Sequence, residues 1–90
     1  MLGCVGEDDM GHEAVEALGA EGIDVGGVMH SAEAATGVAL IVVDERGENQ
    51  IAVAPGANLR LDPASVRAEL DRAAPDLVLL SLEASPAATD

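Results

Sequence analysis

The segment TGVALIVVDERGENQIAVAPGAN, residues 36–58, constrains the fold of this chain more than any other. Two runs of aliphatic and β-branched residues flank the polar loop DERGEN, and this pattern predicts a β-hairpin. Alternate residues of a strand point to opposite faces, so that the first arm presents two apolar sets, Val38, Leu40 and Val42 on one face and Ala39, Ile41 and Val43 on the other. Because a hairpin cannot bury two apolar faces by itself, we expect protein on one side and a partner or ligand on the other.

The segments before the hairpin predict a strand, a helix and a second extended stretch. Residues 2–5 have the apolar composition of a buried strand end, and Asp8 or Asp9 follows as a candidate cap for a helix. After that helix, an extended segment starts at Ile23 and is interrupted by glycines at positions 26 and 27.

The segments after the hairpin predict a second helix and a final strand. Asp62 and Pro63 have the residue types of a helix cap and first turn, and the predicted buried stripe consists of Val66, Leu70 and Ala73 or Ala74. The continuous apolar run DLVLLSLE, residues 76–83, is typical of a strand buried on both faces of a parallel sheet. The order of elements indicates an α/β fold, a parallel sheet plus helices with a small β-extension.

The charge balance excludes two classes of partner. Seventeen Asp and Glu residues face four Arg and no Lys, which gives a formal net charge of -13. A surface this acidic repels nucleic acid and anionic membranes, so we expect neither as a partner. The chain has no Phe, Tyr or Trp. Its core therefore has to be built from aliphatic side chains, and a single domain of 90 residues built in this way has marginal stability.

The metal-binding residue types do not form a recognisable zinc pattern. Cys4, His12 and His30 lack the spacing and the fourth ligand that such a site requires. We therefore expect a buried cysteine and two surface histidines. A single cysteine, no basic and apolar leader and no apolar run of membrane-spanning length together predict a cytoplasmic location.

Glu83 stands at the end of the apolar run 76–83 and has two interpretations. Ligands of open α/β sheets bind beyond the carboxyl ends of the strands, where a carboxylate accepts hydrogen bonds from hydroxyl groups. A strand-end glutamate that only reaches water is the alternative, and the spacing does not distinguish them. The Gly- and Asn-containing clusters at residues 47–49 and 56–58 likewise fit simple turn chemistry.

Three segments, VGEDDMG, ATGVALIVVDERGENQIAVAPGAN and LVLLSLE, resemble in their order and intervals the ribokinase-like, phosphofructokinase B-type sugar kinases. The resemblance covers nearly the whole chain. It implies a partial Rossmann-like fold in which the hairpin, residues 36–58, is a lid. It also implies an enzyme that transfers the γ-phosphoryl group of ATP to a sugar hydroxyl with Mg²⁺, with ribose as the favoured sugar.

The resemblance also implies roles for individual residues. Ile41 corresponds to an apolar lid contact with the sugar, with Ala39 beside it on the same face, and Glu83 corresponds to a glutamate that binds a sugar hydroxyl. The outer face of the lid often packs against a second subunit, which implies a homodimer. The loop at residues 6–11 and the lid's return at residues 56–58 match structural positions of the family.

Several parts of the family pattern are not found in this sequence. The first strand with its sugar-binding Asp, the Gly-Ala-Gly-Asp motif with the catalytic base, the nucleotide pocket and the monovalent-cation loop have no counterpart. We therefore expect residues 1–90 to be a single partial domain, a truncated segment without catalytic, cofactor or metal residues of its own and inactive alone. The alternatives are a non-enzymatic lid or dimerisation module, a sugar-binding module, and fructokinase or another sugar or nucleoside specificity.

Overall fold

A parallel pair of strands joined by a helix forms the body of the chain. The computed structural model describes residues 1–89, in which β1 (Leu2–Gly6) pairs with β2 (Gly27–Ser31). The connecting helix α1 (Asp9–Ala20) begins where the Asp8 side chain accepts a hydrogen bond from the backbone N–H of Gly11, which confirms the predicted cap.

The extended segment predicted from Ile23 was wrong in its start, because β2 begins four residues later. The backbone N–H of Ile23 still donates to the carbonyl oxygen of Leu18 at 3.2 Å, so this residue takes part in the C-terminal capping of α1. The Asp24 carboxylate then accepts from the N–H of Gly26 at 2.8 Å and holds a turn. These local hydrogen bonds hold residues 23–26 in a turn, and β2 therefore begins only at Gly27.

The predicted hairpin is confirmed. β3 (Val38–Val43) pairs antiparallel with β4 (Asn49–Ala54), and the register places Leu40 opposite Ala52 and Ile41 opposite Ile51. In the connecting loop, Oδ1 of Asp44 accepts backbone N–H bonds from residues 46 and 48 at 2.8 and 2.9 Å. Leu40 is 69% exposed and Ile41 60%, so no described part of the chain covers either face.

The chain after the hairpin forms three short helices. A 3₁₀ helix (Gly56–Arg60) leads into α2 (Pro63–Ala73), where Asp62 accepts from the Ser65 N–H at 2.9 Å, as predicted. The last helix is α3 (Pro86–Thr89).

The predicted buried stripe of α2 was wrong. Val66 and Leu70 are only half-buried, and Ala73 and the left-handed cap Ala74 are exposed. An open cavity of about 320 Å³ lies between part of α2 and the start of β1 and β2. A sheet of two strands is too narrow to cover the apolar face of a helix, which accounts for the difference.

The strand predicted over residues 76–83 was also wrong, because the two sheets of the described chain contain only β1–β2 and β3–β4. Leu77, Leu79 and Leu82 are 81%, 92% and 87% exposed. A strand exists only through hydrogen bonds to a neighbour, and here the apolar run has none among residues 1–89. The apolar pattern indicates that the segment is suited to burial, but it does not specify which strand would pair with it.

The buried core is small, and it joins β1 to the 3₁₀ helix and the residue that follows it. Its members are Cys4, Ala57 and Leu61. The chain exposes 6691 Å² at 9.0 kDa, where a compact monomer of that mass exposes about 4,900 Å². The radius of gyration is 14.5 Å, against about 12 Å for a compact domain of this length. The α/β class predicted from the sequence is confirmed, but a large part of its apolar surface is uncovered.

Candidate functional site

The hairpin presents one aliphatic face that carries two of the predicted site residues. We call it the Ile41 face, and by register it comprises Ala39, Ile41, Val43, Asn49, Ile51 and Val53. Ile41 and Ile51 lie directly opposite each other and are 60% and 53% exposed. Aliphatic side chains can cover the carbon atoms of a small ligand but cannot hydrogen-bond its hydroxyl groups. Apart from Asn49 at the loop end of the face, polar partners for such a ligand have to come from another segment.

Glu83 has free hydrogen-bonding capacity for that purpose. Its carboxylate is exposed, and in the described chain its one protein hydrogen bond comes from the Ser81 hydroxyl, which donates to Oε2 at 3.2 Å. An ionised carboxylate has about four lone-pair sites, so most of them remain available to hydroxyl donors.

Within residues 1–89, no hydrogen bond joins Glu83 to the Ile41 face. A shallow cavity of about 250 Å³ lies beside the hairpin, lined by Val38, Leu40, Ala52, Val53 and Ala54. Glu83 lines neither this cavity nor the one under α2, as far as residues 1–89 define them.

The base of the hairpin contains a hydrogen-bond network that the sequence analysis missed. Oδ1 of Asp8 accepts from the Thr36 hydroxyl at 2.5 Å, and Oδ2 accepts from the Thr36 N–H at 2.8 Å. These hydrogen bonds from Thr36, together with one from the Gly11 N–H, hold the pKa of the Asp8 carboxyl below its ordinary value. The only sequence signal was Asp8 as a helix cap; nothing in the pattern linked it to a threonine 28 positions later.

The C-terminal end of the hairpin is fixed to the body by backbone contacts. The N–H of Ala57 donates to the carbonyl oxygen of Ala35 at 2.8 Å, and Ala57 is fully buried. Gly56 has a φ of +51°, in the left-handed region, and a side chain there would collide with the same carbonyl group. Both ends of the hairpin are thus attached to the body beside β1.

The metal-binding residue types have the surroundings that the sequence predicted. Cys4 is buried, and burial raises the pKa of its thiol, which makes it a poor nucleophile. His12 and His30 are exposed, with ring centroids 6.0 Å apart. In residues 1–89 no group of three or more His, Cys, Asp or Glu side chains is arranged to hold a metal ion, and no helix is both long and apolar enough to cross a membrane.

Two of the four arginines are occupied by carboxylates. Arg72 donates to the carboxylates of Glu69 and, at 3.1 Å, Asp24, and these hydrogen bonds raise the pKa of its guanidinium further. Arg60 lies 3.5 Å from Glu33. Such pairs leave little positive charge free for a polyanionic ligand.

The comparison with known proteins identifies the class to which this fold and hairpin belong. Residues 1–86 match the profile of the pfkB family carbohydrate kinases, and the chain belongs to that family, as the sequence segments indicated. It is 42% identical over 84 residues to the ribokinase of Schizosaccharomyces pombe, which covers 92% of this chain and 26% of that relative.

Solved structures give the same result for the fold. The ribokinase of Giardia lamblia superposes with a TM-score of 0.82 at 34% identity, over 98% of this chain and 27% of that one. The ribokinase of Thermotoga maritima has a TM-score of 0.80 at 30% identity, over 98% and 28%. The fold is therefore part of a ribokinase fold, and the chain spans about a quarter of the length of the curated relatives that it matches.

Proposed function

We propose that this chain is the sugar-side segment of a ribokinase-type kinase, which phosphorylates a sugar hydroxyl with ATP. The observation that carries the proposal is the family match over residues 1–86, together with relatives named ribokinase. Those names favour ribose, with ribose 5-phosphate as the product. Residues 1–90 are then one partial domain whose hairpin is a sugar lid.

Within that segment, the Ile41 face covers the sugar carbons and Glu83 binds a sugar hydroxyl. Ile41 and Ala39 lie on the same exposed aliphatic face, which supports the first role. The Glu83 carboxylate has one weak protein partner at 3.2 Å, which supports the second. Glu83 makes no hydrogen bond to the hairpin in the described chain, so its remaining lone pairs are available to a ligand.

The residues present do not fit ATP, and among residues 1–89 no group of three or more His, Cys, Asp or Glu side chains is arranged to hold a metal ion. A triphosphate needs several cationic donors or a cradle of backbone N–H groups. Arg72 and Arg60 are paired with carboxylates, and the chain has a net charge of -13. We therefore assign the nucleotide and its ions to parts of a kinase other than this segment, and the segment alone is inactive.

Ribose titration followed by NMR tests the sugar site. Binding in the millimolar range is expected from so few contacts, with shifts at Ala39, Ile41 and Glu83. The variant Glu83→Gln weakens binding, whereas Glu13→Gln, an exposed carboxylate on α1, leaves it unchanged. Equal binding by both variants, or shifts elsewhere, contradicts the assignment. A parallel titration with fructose tests the alternative specificity.

Product analysis tests the statement that the segment is inactive alone. With ATP, Mg²⁺ and ribose the purified chain should form no ribose 5-phosphate, and sustained turnover would contradict the assignment of the catalytic groups to other parts of a kinase.

A second candidate function is dimerisation through the opposite side of the hairpin. This Leu40 face comprises Val38, Leu40, Val42, Gln50, Ala52 and Ala54. Leu40 and Val42 are 69% and 68% exposed. The chain exposes about 1,800 Å² more than a compact monomer, and a standard interface takes about 800 Å² from each partner. A second copy of the chain that packs on this face in a homodimer would cover part of that excess.

A further inference from the structure

We propose that Asp8 is the positioning residue of the hairpin: its carboxylate, acting through Thr36, sets the direction in which β3 and β4 leave the body. Among the described elements, β3 and β4 pack extensively only against each other. All of β4 and all of β3 beyond Val38 are exposed. The direction of the hairpin therefore cannot come from packing along its arms and has to be set at its base.

The Asp8 clamp, which we define as Asp8, Thr36, Gly6 and Gly11, supplies the necessary contacts. The Thr36 hydroxyl donates to Asp8 at 2.5 Å and accepts from the Gly6 N–H at 2.9 Å, so it bridges α1 and the end of β1. The Thr36 N–H donates to the other carboxylate oxygen at 2.8 Å. Three hydrogen bonds with an ionised acceptor or a shared hydroxyl fix both the position and the rotation of residue 36.

The two glycines of the clamp permit this close approach. A Cβ at Gly6 would lie 2.5 Å from the Thr36 backbone nitrogen and 2.6 Å from the Asp8 carboxylate, and one at Gly11 would lie 2.8 Å from the Thr36 hydroxyl. A Cβ atom does not approach another heavy atom this closely, so no side chain larger than hydrogen fits at either position unless its surroundings shift. The clamp therefore depends on four residues from three segments of the chain.

The hairpin works as a lever on this clamp. Six residues at about 3.4 Å each give an arm of about 20 Å, so a rotation of about 10° at the base moves the loop by about 3.5 Å. Under the proposed function, on which this consequence rests, the same rotation removes the Ile41 face from a bound sugar. Displacements of about 1 Å are already costly in substrate positioning.

Distance measurements between spin labels test the clamp without any sugar. One label is attached through Glu45→Cys in the hairpin loop and the other through Glu16→Cys on α1; both positions are exposed, while the native Cys4 is buried. Thr36→Val keeps the side-chain shape but removes the hydroxyl, and Asp8→Asn replaces one acceptor oxygen by a donor. Each should broaden the distance distribution by about 3 Å or more, on the lever-arm estimate above.

Two variants separate positioning from general stability. Thr36→Ser restores the hydroxyl and should restore the narrow distribution. Ser65→Ala removes the hydroxyl that donates to the Asp62 carboxylate at 2.6 Å in the first turn of α2, outside the clamp, and it should leave the distribution unchanged. A distribution of unchanged width in Thr36→Val overturns the proposal.

Amide exchange in the unmodified chain gives a test that does not depend on any variant folding. The Thr36 amide, which donates to Asp8, should exchange as slowly as the paired amides of β1; exchange as fast as in the exposed run 77–82, which lies outside both sheets, overturns the proposal. Failure of ribose binding, in contrast, would refute the proposed function and leave both of these results intact.

Discussion

Ala57 donates its backbone N–H to the carbonyl oxygen of Ala35 at 2.8 Å and has no exposed surface. One of these residues precedes the hairpin and the other follows it, so a single hydrogen bond closes the loop that the hairpin forms on the body. It lies beside the core contact of Cys4 with Leu61. Ala57 therefore belongs both to the base of the hairpin and to the hydrophobic core. A substitution that disturbs one of them should also disturb the other.

Gly56 should be the most sensitive glycine of the chain. Its φ is +51°, and a Cβ would collide with the Ala35 carbonyl group. Gly56→Ala should lower the free energy of unfolding by more than about 2 kcal/mol, since a left-handed conformation alone costs an L-residue about 1–2 kcal/mol. Urea denaturation measures this change.

Two matched glycines serve as controls for that measurement. Gly47 has a φ of +81° but open space around it, so Gly47→Ala should cost only the conformational part, about 1 kcal/mol. Gly3 lies in β1 with nothing within 4 Å, and Gly3→Ala should cost nothing. If the three variants were equally stable, the collision at residue 56 would not exist.

The Asp62 cap should make stability depend on pH in the acid range. Hydrogen bonds from the Ser65 hydroxyl and N–H lower the pKa of the Asp62 carboxyl in the folded chain. A depressed pKa means that this stabilisation is complete above the unfolded value of about 3.9 and is lost as the pH falls through the folded value. Asp62→Asn keeps a capping side chain but removes the titration.

The urea midpoint at pH 6 and at pH 3 measures this effect. The wild-type midpoint should fall more between the two pH values than that of Asp62→Asn. Asp71→Asn removes a carboxylate from the same helix without touching the cap, and it is the control. If the urea midpoints of Asp62→Asn and Asp71→Asn depended on pH in the same way, the role of the cap would be refuted.

Self-association should depend on one face of the hairpin only. Leu40→Asp places a charge on the Leu40 face at two symmetry-related positions of a dimer, and it should raise the dissociation constant at least about 100-fold, given about 1.5–3 kcal/mol for each buried leucine. Ile41→Asp makes the same change on the opposite face and should leave association unchanged. Sedimentation velocity distinguishes the two, and a wild-type chain that is monomeric at all concentrations would exclude the dimer.

Proteolysis should begin within residues 77–82. Leu79 is 92% exposed and lies outside any sheet, whereas Leu40 is 69% exposed but paired with Ala52 in the hairpin. Proteases cleave backbone that is free of ladder hydrogen bonds more rapidly than backbone held in a strand. Limited digestion with thermolysin, followed by mass spectrometry, should show the first cut near Leu79. A first cut near Leu40 would mean that the hairpin is the less ordered segment.

Features that depend on neighbouring residues in the sequence could be predicted, and features that depend on distant residues could not. Asp62 was recognisable as a cap, and the cap of α1 was narrowed to Asp8 or Asp9, because a cap bonds to residues within one helical turn. The alternation of Leu40 and Ile41 between two faces follows from the strand geometry itself. The Asp8–Thr36 pair could not be predicted, because its two members are 28 positions apart and each has an ordinary local explanation.

The error at residues 76–83 has the same physical origin. The apolar run satisfies every local criterion for a buried strand, but a strand is a property of two segments, and its second segment is not specified by the pattern. The predicted roles of Glu83, Ile41 and Ala39 stay predictions, because they depend on a ligand that bridges separate segments.

The large exposed surface of this chain has a consequence for its thermodynamics. The heat capacity of unfolding is proportional mainly to the apolar area that becomes hydrated, about 12–15 cal/mol/K per residue in compact domains. Here Leu77, Leu79, Leu82 and both faces of the hairpin are already hydrated in the folded state. The heat-capacity increment should therefore fall below that range, and the stability curve should be unusually flat with temperature. Covering these surfaces with other protein would raise the heat-capacity increment and restore the curvature of the stability curve.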